Sequence, residues 1–287
     1  MNRLLHPLTI LRRQRSRLQK YARRRRIRLD KTEISKTLNC FGPVEAPALM
    51  VHSSLSACGQ IEGGVHTVVD ALREWAGPAT LTMPTHSYLY PGGQKQASYF
   101  DPRTSPSVVG AVTDFFWRQP GVVRSLHPSH SVACDGPLAA RLCVDHEWAE
   151  TPCGQGTPYE KLIELDCAVL MFGATLDAYT FFHTAEDAAA VPYLYHPEPI
   201  EVAYRGPLGL HWVMAIFRQD MGFSRRFVEM TDWLEKHELL IRRGLGLGEL
   251  LYLPHAATVH RALVKELERD PWLLVKESAR PISAVNS

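Results

Sequence analysis

Three short, largely apolar segments constrain this chain more than any other feature: "ALMVH" at 48–52, "ATLTMP" at 79–84 and "CAVLMFG" at 167–173. Runs of this length and uncharged composition fit strands buried in a sheet. Helical patterns separate them. In 63–77, Val65, Val68, Val69, Leu72 and Trp75 fall on one stripe that Gly77 ends. In 105–120, Ser105 as cap and Pro106 at the first helical position open a helix that closes at Pro120. In 157–165, Thr157 and Glu160 form a capping box, again with a proline at the first position. Strand–helix–strand alternation predicts an α/β fold, with a largely parallel or mixed central sheet flanked by helices. From about residue 196 the texture changes: "PEPIEVAYRG" and "LGLHWVMAIF" alternate as antiparallel strands do. That predicts a small antiparallel flap over 194–220, inside a single domain that spans 32–287. A charged helix is expected over 224–243 and a last helix from about 255. "GLGLGELL" (244–251) has the glycines of a nucleotide loop, but leucines fill its gaps, and it reads as a structural turn.

The charge is divided unevenly. Residues 1–31 hold 12 of the 32 Lys and Arg and one acid, Asp30, which leaves 20 bases against 29 acids in the rest. This basic arm is expected to lie outside the catalytic fold. Its composition is open to several readings: contact with an anionic membrane surface, nucleic-acid binding, organelle targeting, or a solvated extension docked on the acidic body. Nucleic acid is not the expected partner of the whole. His6 and Pro7 break the arm's apolar part and no small-residue cleavage site follows, so a secretory signal fits poorly. Six cysteines are scattered without a CxxC pair, which argues for free thiols in a reducing compartment and predicts a cytoplasmic protein; a monomer or homodimer is expected.

Two loops and one helix start carry candidate chemistry. "HSSLSACGQIEGG" (52–64) joins a strand to a helix through serines and a glycine pair, and it can be read as an anion cradle or as a simple chain turn. "RSLHPSHS" (124–131) sets Arg124, His127 and His130 among serines, which suits a phosphate contact; Pro128 argues against a helical metal pair. "FFHTAED" (181–187) follows the third apolar run and places His183 and Glu186 on one helical face. The pair could be half of a metal site, a proton-transfer couple or a surface ion pair. Further ligands at a metal spacing are missing, and open α/β sheets place active sites beyond strand ends, so a general base oriented by a carboxylate is the favoured reading. The sequence has no GxSxG and no HExxH motif.

Taken in order, "MVHSSLSACGQIEGGVHTVVDAL" (50–72), "LTMPTHS" (81–87), "RSLHPSHSVACDG" (124–136), "GQGTPYEKL" (154–162) and "LMFGATLDAYTFFHTAED" (170–187) resemble the aminoglycoside 3-N-acetyltransferase family. The resemblance implies that family's α/β fold and acetyl transfer from acetyl-coenzyme A to a small-molecule amine, with no metal. It implies that Ser53, Ser54, Leu55, the Gly63–Gly64 turn with Val65, and Arg124, Ser125, His127 and Ser131 hold the coenzyme, with Gly156, Thr157 and Tyr159 lining the same groove. It assigns His183 as base and Glu186 as its orienting partner. Thr85 is the candidate hydroxyl near the thioester carbonyl, with a turn-stabilising role as the other reading. Asp177, Tyr179 and Asp187 are the expected acceptor contacts, with Phe181 and Phe182 also flanking the base. Cys58, in the coenzyme loop, leaves a covalent route to be weighed. The competing expectation is a non-catalytic coenzyme-binding or membrane-associated protein that acts through its arm.

Overall fold

The computed structural model of the protein describes residues 27–88, 100–205, 209 and 211–281. Most of the basic arm, residues 1–26, lies outside the described residues. The chain runs through β1 (Arg28–Leu29), α1 (Lys31–Asn39), β2 (Ala48–Ser53), α2 (Leu55–Cys58), β3 (Gln60–Ile61), α3 (Val65–Ala76) and β4 (Thr80–Pro84). It continues through α4 (Ala111–Phe116), β5 (Val123–Arg124), β6 (Val132–Asp135), α5 (Ala139–Cys143), α6 (Pro158–Glu164), β7 (Ala168–Phe172) and α7 (Phe181–Ala188). The last part holds β8 (Ile200–Arg205), β9 (His211–Ile216), α8 (Met230–Lys236), β10 (Ile241–Leu245), β11 (Gly248–Leu253) and α9 (Ala256–Arg269).

The three apolar runs become β2, β4 and β7, adjacent and parallel at the centre of a seven-stranded sheet ordered β10-β11-β7-β2-β4-β6-β5. The sheet is mixed. Only the β7–β2 and β2–β4 pairings are parallel; β10, β11, β6 and β5 all join antiparallel. Successive residues of β2 point to opposite faces, so Leu49 and Val51 enter a core shared with α1 and α3, while Ala48 and Met50 enter one shared with α6, α7 and α9. Helices on both faces explain why the central strands are buried and largely apolar.

Two helices are shorter than the sequence pattern suggests. The expected helix over 105–120 begins only at Ala111. Ahead of it, Val108 N–H donates to the His86 carbonyl at 2.8 Å, and the Asp114 carboxylate accepts from Ser107 N–H at 2.9 Å. Residues 105–110 are therefore tied to the end of β4 rather than coiled. The charged helix expected over 224–243 reduces to α8, because Ile241 onward pairs as β10 with β11. In α6 the Thr157 hydroxyl accepts from Glu160 N–H, as the capping box requires, but Glu160 turns to Gly156 N–H at 2.7 Å instead of the Thr157 N–H. The flap is a two-stranded antiparallel ribbon, β8–β9, with its own small core of Phe100, Val202, Tyr204, Met214 and Ile216. No helix among the described residues is long and apolar enough to cross a membrane.

Candidate active site

The C-terminal ends of β2, β4 and β7 all open on one side of the sheet, and a cavity of about 970 Å³ lies there. Its wall includes His52 and Ser53 from the end of β2, Pro84 at the end of β4 with His86 to Tyr88 after it, Asp177 to Thr180 beyond β7, and His183 from α7. Ile216 at the end of the ribbon, residues 217–225 after it and Phe227 also line the cavity. Helix and sheet geometry thus deliver three strand ends and one helix start to a single space, as open α/β sheets do.

α7 is anchored by its apolar face. Phe182 stacks on Phe227 with ring centroids 4.7 Å apart, and Phe181 meets Tyr159 edge-on at 5.9 Å. Phe181 and Phe182 are both buried core residues outside the cavity lining; Tyr179, just ahead of the helix, is the aromatic that lines the cavity. The opposite side of α7 carries His183, whose side chain keeps 20% exposure and lines the cavity. Its Nδ1 lies 2.6 Å from Glu186 Oε2, and Glu186 is fully buried. The other carboxylate oxygen, Oε1, accepts from Arg225 Nε at 3.1 Å, and the guanidinium lies 4.5 Å over the Tyr193 ring. With Nδ1 donating to the carboxylate, Nε2 is left as the lone-pair nitrogen.

Four further histidines line the cavity, His52, His86, His130 and His196, and the first three are buried and uncharged. Burial holds His52 down to about 3, and burial followed by the neighbouring imidazoles holds His86 and His130 well below the ordinary histidine value. His86 Nε2 is tied to the Tyr159 hydroxyl at 2.6 Å, and the His86 and His130 rings lie 4.4 Å apart. Several buried polar atoms here have no hydrogen-bond partner among the described residues: His52 Nε2, Ser53 Oγ and the Tyr179 hydroxyl. Unpaired polar atoms in a cavity wall suit a polar bound molecule.

The other expected site residues fall at varying distances from this space. Asp177 lines the cavity and is exposed. Asp187 does not; it holds the Tyr195 hydroxyl. Among the residues expected to hold the coenzyme, Ser53 lines the wall, while Ser54 begins the short α2, and Leu55 and Val65 pack against the α1/α3 core. Gly63 and Gly64, with φ of +70° and +60°, make the turn into α3. Arg124 is committed within the fold: Nε donates to the Thr85 and Ser131 hydroxyls, Nη1 to the carbonyls of Ser105 and Pro102, and Nη2 to that of Thr85. Burial pulls its pKa down to about 9. This is a strut joining three loops, and it places the buried Thr85 hydroxyl in that network and outside the cavity lining. Ser125 bonds His146 Nδ1 at 2.8 Å, and the buried His127 accepts from His130 N–H through Nδ1 at 3.0 Å. Gly156 and Thr157 shape the start of α6, and Tyr159 acts on the cavity through His86. Cys58 is buried, with its thiol pushed up to about 11 by burial, and does not line the cavity. Among the described residues no cluster of His, Cys, Asp or Glu is arranged to hold a metal ion.

Sequence reasoning passed over Arg225, His86 and the whole 216–227 wall. His86 stands inside "MPTHS", one residue from the hydroxyl that the sequence favours. Arg225 lies 39 residues after Glu186, and no local spacing connects them.

A family model described as aminoglycoside 3-N-acetyltransferase matches residues 50–265. Aminoglycoside N(3)-acetyltransferase IV from Salmonella is 38% identical over 248 residues, covering 85% of this chain and 90% of that protein. Aminoglycoside N(3)-acetyltransferase III from Salmonella is 34% identical over 174 residues; the match takes in 55% of this chain and spans 60% of that relative's length. The crystal structure of aminoglycoside acetyltransferase AAC(3)-IVa in complex with a gentamicin aligns with a TM-score of 0.75 at 30% identity, covering 90% of this chain and 94% of that one. That of AAC-IIIb binary with CoASH aligns at 0.72 and 26% identity, covering 84% and 97%.

Proposed function

The chain belongs to the aminoglycoside 3-N-acetyltransferase family, and on that premise we propose that it moves an acetyl group from acetyl-coenzyme A to a primary amine of an aminoglycoside, amino sugar or related small molecule. One observation carries the proposal: His183 lines the cavity with Nδ1 held 2.6 Å from a fully buried carboxylate. Acetyl-coenzyme A supplies an activated acyl carbon, which only a neutral amine can attack. An alkylamine is mostly protonated near neutral pH. His183 removes the proton at Nε2 as the amine attacks, and Glu186 fixes the tautomer and balances the imidazolium that forms. Arg225 keeps Glu186 in place from the other side. The unpaired polar atoms of His52, Ser53 and Tyr179 offer the wall a means of holding the acyl donor. Transfer is direct, within a complex of both substrates, because Cys58 lies outside the cavity lining with its thiol firmly protonated.

The test is steady-state thiol release from acetyl-coenzyme A. His183→Ala is expected to lower kcat by about 10²–10⁴-fold, the usual contribution of a general base, while calorimetry still detects acetyl-coenzyme A binding. Cys58→Ser is expected to keep most activity. An active His183→Ala enzyme would end the assignment.

A further inference from the structure

Acetyl transfer needs a donor for the acyl oxygen, and the structure withdraws the hydroxyl that the sequence offers. Thr85 is buried, holds Ser131 and Arg124 with its hydroxyl, and does not line the cavity. As the amine attacks, the carbonyl oxygen becomes an oxyanion, and a preorganised donor aimed at it is among the largest contributions a site can make. Other lining donors are engaged. The Ser87 hydroxyl donates to the Pro128 carbonyl at 2.6 Å, and the two His86 nitrogens are held by the hydroxyls of Tyr88 and Tyr159.

His130 meets the requirement. It stands where the chain enters β6, lines the cavity and is buried there, its ring 4.4 Å from that of His86. The proton on its ring can be placed. His127 Nδ1 accepts from the backbone N–H groups of His130 at 3.0 Å and Ser129 at 3.3 Å, so that nitrogen bears the lone pair. Two donors already share that lone pair. The Ser129 hydroxyl therefore turns to its nearer neighbour, His130 Nδ1 at 2.9 Å, rather than to His127 Nδ1 at 3.3 Å. A hydroxyl donating to Nδ1 leaves the imidazole proton on Nε2. That Nε2 bonds no described residue, and it is not sealed in the core as the unpartnered Nε2 atoms of His127 and His146 are. It opens on the cavity as an N–H donor. Burial and the surrounding imidazoles, His183 among them, keep the His130 ring from charging. A neutral imidazole does not repel a cationic amine, and it holds a hydrogen bond to an oxyanion without surrendering the proton.

We propose that His130 is a catalytic residue of the transfer, its Nε2–H donating to the acyl oxygen while His183 acts on the amine, with Ser129 fixing the tautomer. The proposal rests on the acetyl-transfer reading and deepens it. The C–N bond forms as the carbonyl π pair moves onto oxygen, and the amine proton passes to His183 Nε2. The pair then returns, the C–S bond breaks, and the thiolate takes the proton from His183. His130 keeps its own proton throughout.

The experiment is steady-state thiol release by the full chain with acetyl-coenzyme A and gentamicin, apramycin or glucosamine as acceptor. His130→Met keeps the bulk and removes the donor, and kcat is expected to fall about 10²–10³-fold with both KM values nearly unchanged. His130→Gln returns an amide N–H to the place of Nε2 and is expected to recover about tenfold of that loss. The acid limb of the kcat–pH profile, which reports His183, is expected to stay in place in both variants. If calorimetry shows that His130→Met does not fold, Ser129→Ala carries the test, with a lower kcat and unchanged KM values expected. Wild-type kcat in the variant tested, no recovery with Gln, or a raised KM for acetyl-coenzyme A in place of the lower kcat overturns the donor role and leaves acetyl transfer standing. No release by the wild type with any of the three acceptors removes the transfer reading and the inference with it.

Discussion

Glu186 is buried completely and bonded on one oxygen to His183 and on the other to Arg225. Each bond constrains a different property. Arg225 makes the burial of a charge tolerable, so removing it leaves an unpaired carboxylate in the core, a change that costs about 3–5 kcal/mol. Arg225→Ala is therefore expected to lower Tm by about 2–4 °C for each kcal/mol lost, read by calorimetry, and to lower kcat through loss of Glu186 placement. Glu186→Gln keeps the shape and removes the charge. It is expected to lower kcat by about 10²-fold or more, with KM for acetyl-coenzyme A nearly unchanged; wild-type kcat in this variant would remove Glu186 from the mechanism. His183 and Glu186 could be found from sequence because three-residue spacing on a helix is local information. Arg225 could not. It sits in "FSRRF" beside Arg226, which forms an ordinary surface pair with Glu229, and nothing in the sequence distinguishes the two arginines. Arg124 stands in a serine-rich segment that suits a phosphate contact, and within the fold its guanidinium bonds the hydroxyls of Ser131 and Thr85 together with backbone carbonyls.

At the scale of elements, short and largely apolar runs announced the central strands, since burial on both faces favours apolar residues and admits a polar one such as Thr82 only where it finds a partner, here the Leu49 carbonyl. Their neighbours were less legible, because antiparallel edge strands take their pattern from the partner they meet. β10 reads IRRGL, four of its five residues exposed, and resembles the end of a charged helix until β11 is placed beside it. The turn joining these strands shows why "GLGLGELL" needs its middle glycine. Gly246 has φ of +59°, and a Cβ at that position would stand 2.2 Å from the Cys58 carbonyl oxygen. The same carbonyl accepts from Leu247 N–H at 2.8 Å, so the turn is locked to the loop that follows β2. Gly246→Ala combines left-handed strain with overpacking, and a loss of about 2–4 kcal/mol is expected in urea unfolding. An unaltered midpoint would mean that the loop yields, and that its approach to the turn does not stabilise the fold.

The whole molecule sets its own N-terminal boundary, and it does not fall where the change in charge suggests. Composition put the arm at 1–31, but β1 pairs in parallel with β3, and Leu29 is buried in the α1/α3 core. Gln60 N–H donates to the Ile27 carbonyl and Glu62 N–H to that of Leu29. Asp30 caps α1: its carboxylate accepts from Glu33 N–H at 2.8 Å, and Glu33 returns the contact to Asp30 N–H. The lone acid of the basic stretch is thus a helix cap, and the body starts by Ile27. Two truncations separate the arm's role from the fold's. Removing residues 1–26 is expected to leave both thiol release and Tm close to those of the full chain, because the β1–β3 pairing, the buried Leu29 and the Asp30 cap all lie at Ile27 or beyond. Removing 1–30 takes away the cap, worth about 1 kcal/mol, and the burial of Leu29, worth about 1.5–3 kcal/mol. Its Tm should fall accordingly while kcat at low temperature persists. Loss of turnover in the shorter truncation, with Tm unchanged, would place the arm in the catalytic cycle.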